Sequence, residues 1–561
     1  MTRLVSGAYA LACGAIEASV SLVTGYPGAP ATAVVDAILQ LTSPNEVQVE
    51  WTSNEKVGIE MAFGASLGGM RSLLCVKGVG LNIALDPLMA FNLSGCNGGF
   101  VILVGDDPGG WGSQNEQDSR VLALAAGLPL LEPASVSDAR VAVRQAFGLS
   151  EEMGLPVIVR VTRALVLAEE EVEEERQTSE VSEDLRSLAL PPFQREFMRW
   201  VVLPINVVPY HLRLIQRLEV VQARFEDSPL NGVEGDGPQG VIAAGFAYRR
   251  LSDLLGGTVP PALRILRLGT FYPLPVNRVA AFLRTVESVL VLEESGPLVE
   301  RAVRAAAQEA RLTLPICGRD TGHVPRTGEL FAPHIAAALN RFLPRLALPT
   351  EGESSRPRPS REPLCDGCPY IPTFDALTEV IAQFGGGDEV IVVGDPGCMV
   401  RAQLPPYELM DVKHSLGSSI GMAAGIALSQ TSAGLVEPSK RGTGKRVVAL
   451  CGDSGFLHSG FSGLVDATRV GATMLVLILD NGTTALSGGQ PHPASRVDAR
   501  GRPRRAVDLA ALAREAGAGM VRLVDLDRGE DIRAAIEMGM SFDGVAVVIA
   551  RGRCVRWSAA G

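Results

Sequence analysis

The sequence predicts an α/β protein with two large domains on doubly wound parallel sheets and a smaller α/β domain between them. Three observations carry this. Short apolar runs such as Phe100–Val104, Val447–Leu450 and Met474–Leu479 read as buried parallel strands. They alternate with stretches of helical period, as βαβ units do. The composition is 47% hydrophobic with 61 glycines but only 5% aromatic, which suits layers built from Ala, Val and Leu.

Taken in order, 561 residues allow about three or four domains. Residues 1–167 form the first α/β unit, with strands expected at Val20–Thr24, Ser72–Val76, Phe100–Val104 and Val157–Val161. The opening MTRLVSGAYALACGAIEASV faintly imitates a signal peptide, but Glu17 and the run-on into TGYPGAP favour an amphipathic first helix. Gly25–Pro30 is a rigid turn at a strand end, and VGDDPGGWGSQNEQDSR is a polar, glycine-bearing loop of the kind that carries binding residues. Residues 168–237 are a connector: an acidic, solvated run, LAEEEVEEERQTSEVSEDL, then an amphipathic helix at about His211–Phe225. Residues 238–345 form the smaller α/β domain, with strands at Gly240–Ala244, Ile265–Leu268 and Val289–Leu292. Residues 346–362 are a Pro/Ser/charge-rich linker, and 363–561 make the last domain.

A net charge of −11 argues against nucleic acid or an anionic membrane as partner, and no apolar run reaches transmembrane length. A cytoplasmic protein is expected, its nine cysteines thiols or metal ligands rather than a disulfide framework.

Chemistry concentrates in Val447–Pro493. One apolar run ends at Gly452-Asp453-Ser454 and the next at Asp480-Asn481-Gly482-Thr483, placing a carboxylate and a carboxamide 28 positions apart at two strand ends. Ligands of open α/β sheets gather at the carboxyl ends of strands. A magnesium ion takes a few protein oxygens beside phosphate oxygens, and Asp453, Asn481 and a backbone carbonyl near Thr483 offer them. Ordinary turn chemistry explains the isolated pair equally well. Gly417 and Ser418, ahead of an Ala/Gly-rich helix, suggest a phosphate-facing turn. Glu55 opens a helix, where a carboxylate is favoured by the helix dipole alone. The Cys365–Cys368 CxxC fits zinc, a redox dithiol or iron–sulfur. Cys398 follows one strand and Cys554 the last.

The wording GDSGFLHSG…LDNGTTALSGGQPHP, with EWTSNEKVGIEMAFGASLGGMRS and VGDDPGGWGSQNEQDSR upstream, resembles the α subunit of indolepyruvate:ferredoxin oxidoreductase. The resemblance spans about residues 5–165 and 190–555. It implies two thiamine-diphosphate-binding-fold domains, pyrimidine-binding at 1–167 and diphosphate-binding at 363–561, plus a transketolase C-terminal-like domain at 238–345. It further implies Glu55 on the aminopyrimidine, with Gly417, Ser418, Gly452, Asp453, Ser454, Asn481 and Thr483 about the diphosphate, of which Asp453, Asn481 and Thr483 also hold Mg²⁺. Cys365, Cys368, Cys398 and Cys554 match the four ligands of a [4Fe–4S] cluster. The implied reaction is oxidative decarboxylation of a 2-oxoacid, with the acyl group passed to coenzyme A and electrons to ferredoxin or a similar carrier. A separate coenzyme-binding β/γ-type subunit is implied, in a homodimer or heterotetramer. A thiamine-diphosphate decarboxylase or carboligase that is not oxidative is the alternative, and a pseudoenzyme a third reading.

Four positions depart from the family: Ala29 where it has Thr, and Gly78, Tyr370 and Gly489 where it has His. Donors are thereby lost near the expected substrate pocket, and the two glycines are expected to make it roomier. The chain ends seven residues after Cys554, where the family continues into a ferredoxin-like domain, so electrons are expected to leave directly from this cluster.

Overall fold

A computed structural model describes residues 2–173, 193–356, 362–432 and 445–557. The chain divides into two compact units, Met1–Glu50 with Glu55–Arg358, and Trp51–Asn54 with Pro359–Gly561.

The first unit holds two main sheets. The larger has seven strands in the order Thr270–Tyr272, Leu130–Leu131, Val157–Thr162, Phe100–Asp106, Ser72–Lys77, Leu22–Gly25, Gln48–Trp51. Its inner strands are parallel and fully buried, which is why their sequences are continuous apolar runs rather than alternating ones. The smaller sheet has five strands, Ile316–Cys317, Ser288–Leu292, Gln239–Ala244, Leu263–Leu268 and Gly232–Glu234, parallel except for the last. Thr270–Tyr272 leaves the smaller sheet's neighbourhood to pair antiparallel with Leu130–Leu131. This tie accounts for the RLGTFYPLP segment without any chemistry.

Arg120 and Arg160 lie within this unit, both fully buried. Arg160 Nε donates to Asp106 Oδ2 at 2.8 Å and its Nη1 to Glu132. Arg120 grips Asp118 through Nε and Nη2 at 2.8 and 2.7 Å and meets Glu293 at 2.9 Å. Burial pushes the carboxyls of Glu132 and Glu293 up, and the guanidiniums pull against it.

Two expectations about the chain's early part are corrected. The first helix, Gly7–Glu17, capped by Ser6 Oγ on Tyr9 N–H at 3.2 Å, is buried on most sides rather than amphipathic. Its small residues let helix Val136–Met153 approach closely: a Cβ at Gly14 would sit 2.5 Å from Arg140 O. The acidic run is not solvated throughout, because Glu169–Glu173 is a strand paired antiparallel with Thr2–Ser6. Glu170 is buried there against Arg249 Nη1 at 2.5 Å. The rest of that run lies outside the described residues. The connector helix is longer than expected, Pro204–Glu226. In the linker Arg356 clasps Glu329 at 2.8 and 2.9 Å, and residues 357–361 lie outside the described residues.

The second unit is one sheet of six parallel strands: Val412–Lys413, Val390–Gly394, Arg446–Gly452, Met474–Asp480, Val545–Arg551, Met520–Asp525. Apolar clusters fill both of its faces. A helix begins at Asp453, widens into a π-helical turn over Phe456–Gly460, and continues as Phe461–Arg469. Among the described residues no helix is long and apolar enough to cross a membrane.

Candidate cofactor site

Because every strand of the six-stranded sheet runs one way, their carboxyl ends share one edge. Asp395, Asp453 and Asn481 stand immediately beyond three adjacent strands there. Asp453 is 3% exposed. Its Oδ1 accepts the N–H of Ser454 at 2.7 Å, and its Oδ2 accepts those of Asn481 at 3.1 Å and Gly482 at 2.8 Å. His492 Nε2 lies 3.1 Å from the same Oδ2. Burial raises the Asp453 carboxyl, but His492 and the backbone N–H groups outweigh it and hold it below the usual range. His492 Nδ1 accepts the N–H of Ala494 at 3.2 Å, which leaves Nε2 as the protonated nitrogen facing Asp453. Asn481 Oδ1 accepts Thr483 N–H at 3.1 Å, and Thr483 Oγ1 donates to Gln490 O at 3.2 Å. The turn is thus closed on itself around Asp453.

Asp395, wholly buried, accepts Gly417 N–H at 2.8 Å and Ser419 N–H at 2.9 Å. Burial pushes its carboxyl up to about 6. At the turn expected to face phosphate, the Gly417 amide is bonded to Asp395. Gly417 is needed there for its backbone, with φ at +76° and a Cβ that would meet Ser459 Oγ at 2.2 Å. Ser418 keeps its hydroxyl on Ser415 O at 2.7 Å.

Cys365, Cys368, Cys398 and Cys554 line one cavity of about 260 Å³, together with Tyr370 and Asn481. Cys368 N–H closes on Cys365 O at 3.0 Å in a turn through Gly367 at φ +70°. Burial pushes the Cys398 thiol up to about 12, and neighbouring Cys368 and Cys554 add to it. Arg401 Nη1 lies 3.6 Å from Cys365 Sγ. Cys75, Cys96 and Cys451 are buried elsewhere in the core.

The family of the pyruvate flavodoxin/ferredoxin oxidoreductase thiamine diphosphate-binding region matches residues 13–199, and that of the C-terminal TPP binding domain of thiamine pyrophosphate enzymes matches 395–550. Indolepyruvate oxidoreductase subunit IorA of Pyrococcus abyssi is 33% identical over 98% of this chain and 85% of its own length. The corresponding subunit of Methanothermobacter thermautotrophicus is 33% identical over 97% and 86%. A solved 2-oxoglutarate:ferredoxin oxidoreductase from Magnetococcus marinus aligns at a TM-score of 0.46 and 18% identity, over 56% of this chain and 61% of that one. The chain belongs to the IorA family. It is an oxidoreductase subunit of the thiamine-diphosphate type.

Magnesium and an iron–sulfur cluster, the groups expected from the sequence, make different demands on these residues. Magnesium at a diphosphate takes one or two carboxylates and neutral oxygens, and keeps waters. Asp453 with the Asn481–Thr483 turn fits that donor set. Among the described residues no three His, Cys, Asp or Glu side chains are gathered closely enough for a single ion. A four-iron cluster needs something different, four thiolates spread around a cavity with the irons between them, and the cysteine cavity fits this. In the first unit Glu55 is 4% exposed at the start of helix Glu55–Leu67. Helix Gly78–Ser94 passes against it, and a Cβ at Gly80 would meet Glu55 Oε1 at 2.5 Å, so this glycine makes the carboxylate's space.

The expectation of a roomier pocket is corrected. A Cβ at Gly78 would lie 2.3 Å from Asp106 Oδ1, and one at Gly489 would lie 2.6 Å from the Trp557 ring. Trp557 is fixed by its Nε1–H on Ala485 O at 2.9 Å. Both glycines are occupied from outside, not vacant. Sequence reasoning also missed Asp395, Asp480 and His492. The first stands in VVGDPGCMV, where the strand-end carboxylate was a sufficient signal. Asp480, buried and bound to Arg551 Nε at 2.7 Å, and His492, in the QPHP wording, gave none before their neighbours were known.

Proposed function

We propose that the chain is the thiamine-diphosphate-binding subunit of a 2-oxoacid:ferredoxin-type oxidoreductase acting on an aryl pyruvate such as indolepyruvate. The acyl group leaves to coenzyme A, and electrons leave through a [4Fe–4S] cluster to ferredoxin or a similar carrier. A separate coenzyme-binding subunit completes the assembly, in the cytoplasm. One observation carries this reading: cysteines as far apart as positions 365 and 554 line a single cavity whose wall includes Asn481. A decarboxylase that passes no electrons has no use for four thiols beside its cation turn.

Thiamine diphosphate, when bound, supplies the electron sink that lets CO₂ depart. The chain's own residues do the rest. Asp453, Asn481 and the Thr483 carbonyl hold Mg²⁺, and Gly452 and Ser454 form the turn on which the diphosphate rests. Asp395 stiffens the Gly417–Ser418 turn beside it. Glu55 holds a proton-accepting carboxylate for the aminopyrimidine in a space kept by Gly80. The Nε2–H of His492 faces Asp453 and would help keep its carboxylate ionised for the cation.

Anaerobic purification followed by iron, sulfide and thiamine quantification tests the reading. About four irons and one thiamine per chain are expected. Thiamine without iron returns the alternative, a carboligase or decarboxylase that passes no electrons.

A further inference from the structure

Tyr370 stands two residues after Cys368 and precedes helix Ile371–Gln383. It is 1% exposed, packed edge-on to Phe374 with ring centroids 6.3 Å apart, in the apolar cluster that Cys368 and Cys398 border. Its hydroxyl is buried and has no hydrogen-bond partner among the described residues. A buried hydroxyl without a partner pays its desolvation in full, so such groups are rare unless a ligand completes them. Asp453, Asp480, Cys398 and Cys368 are among the ionisable groups near enough to act on it electrostatically. Asp453 already accepts three backbone N–H groups, and Asp480 is held by Arg551. The four cysteine sulfurs line the cavity that Tyr370 itself lines, and the Asn481 carboxamide oxygen there already accepts Thr483 N–H.

We infer that the Tyr370 hydroxyl donates a hydrogen bond to a sulfur of the cluster held in the cysteine cavity, and so sets how readily that cluster takes an electron. The inference rests on the iron–sulfur reading above. Hydrogen bonds to cluster sulfurs favour the reduced, more negative state and raise the reduction potential. No bond is made or broken at Tyr370: one electron from the oxidised substrate enters the cluster, and the phenolic proton stays on its oxygen. Tyr370 is thus a tuning residue, and the tyrosine that replaces the family's histidine keeps a donor at this position rather than losing one.

The test compares the wild-type holoprotein with Tyr370→Phe, which keeps the ring and its packing. Iron and thiamine content are measured first, then the cluster's midpoint potential by an EPR-monitored redox titration and thiamine diphosphate affinity by calorimetry. The expected result is unchanged iron, unchanged thiamine diphosphate affinity and a more negative potential in the variant. Full iron with an unmoved potential overturns the inference while leaving the cluster intact. A weakened thiamine diphosphate affinity with an unmoved potential also overturns it, by assigning the hydroxyl to the diphosphate. A wild-type protein without iron overturns the parent reading and this one with it. Should Tyr370→Phe fail to take up iron, 3-fluorotyrosine at position 370, a stronger donor of nearly the same shape, is expected to move the potential the other way. An unmoved potential there overturns the inference.

Discussion

Two groups of buried charges in this chain look alike on paper and differ in kind. In the first unit Asp106, Asp118, Glu132 and Glu293 each touch a guanidinium of Arg120 or Arg160, and backbone N–H groups take further lone pairs. Every carboxylate of that network has a guanidinium partner from the chain itself. In the second unit Asp395 accepts the backbone N–H groups of Gly417 and Ser419, Asp453 faces a single imidazole, and four thiols line a cavity. Fixed guanidiniums mark charge used for cohesion. Under the proposed function, Asp453 and the four thiols are the groups that would meet cations.

The sharpest way to break this contrast is to remove a thiol from each unit. Cys398→Ser is expected to abolish stable iron binding, whereas Cys75→Ser leaves iron content at the wild-type level; iron quantification on anaerobically purified protein reads both. Next, Arg160→Met leaves Asp106 and Glu132 buried without their partner. It should destabilise the fold by about 3–5 kcal/mol in denaturant titration, with cofactor affinity of the folded fraction unchanged. Asp453→Asn should reverse that pattern, costing at least about 100-fold in magnesium-dependent thiamine diphosphate affinity by calorimetry, more than an outer-shell change would. The smallest effect is a pH dependence at Asp395. Its folded value, about 6, lies above the ordinary Asp value, so the folded state binds a proton between the two. That contribution favours the fold at acid pH and is lost as pH rises through about 6. Relative to Asp395→Asn, the wild type should therefore lose about 1 kcal/mol of stability between pH 5 and 7 in paired denaturation curves.

The same contrast explains what could be read from sequence. Strand ends were legible because a buried parallel strand is a continuous apolar run, and Asp453, Asn481, Cys398 and Cys554 each stand just beyond one. Arg120 and Arg160 were not, since a lone arginine at the start of a helix or inside a β run carries no mark of which acids will meet it. The ladder between Thr2–Ser6 and Glu169–Glu173 escaped for a related reason: its partners are far apart in sequence, and the acidic strand has no apolar alternation to betray it. Tyr370 and Gly489 were read as losses of imidazole, because a sequence names the residue that is missing and not the Trp557 ring or the hydroxyl that stands in its place.

The π-helical turn at Phe456–Gly460 has a consequence for how the gene can vary. One extra residue in a helical turn rotates everything before it by about 100° relative to everything after it. Upstream, the rotation is set so that Asp453 meets the strand edge; downstream, so that Leu464 and Ala467 enter the core. Deleting a single codon within that turn would put the two phases out of step.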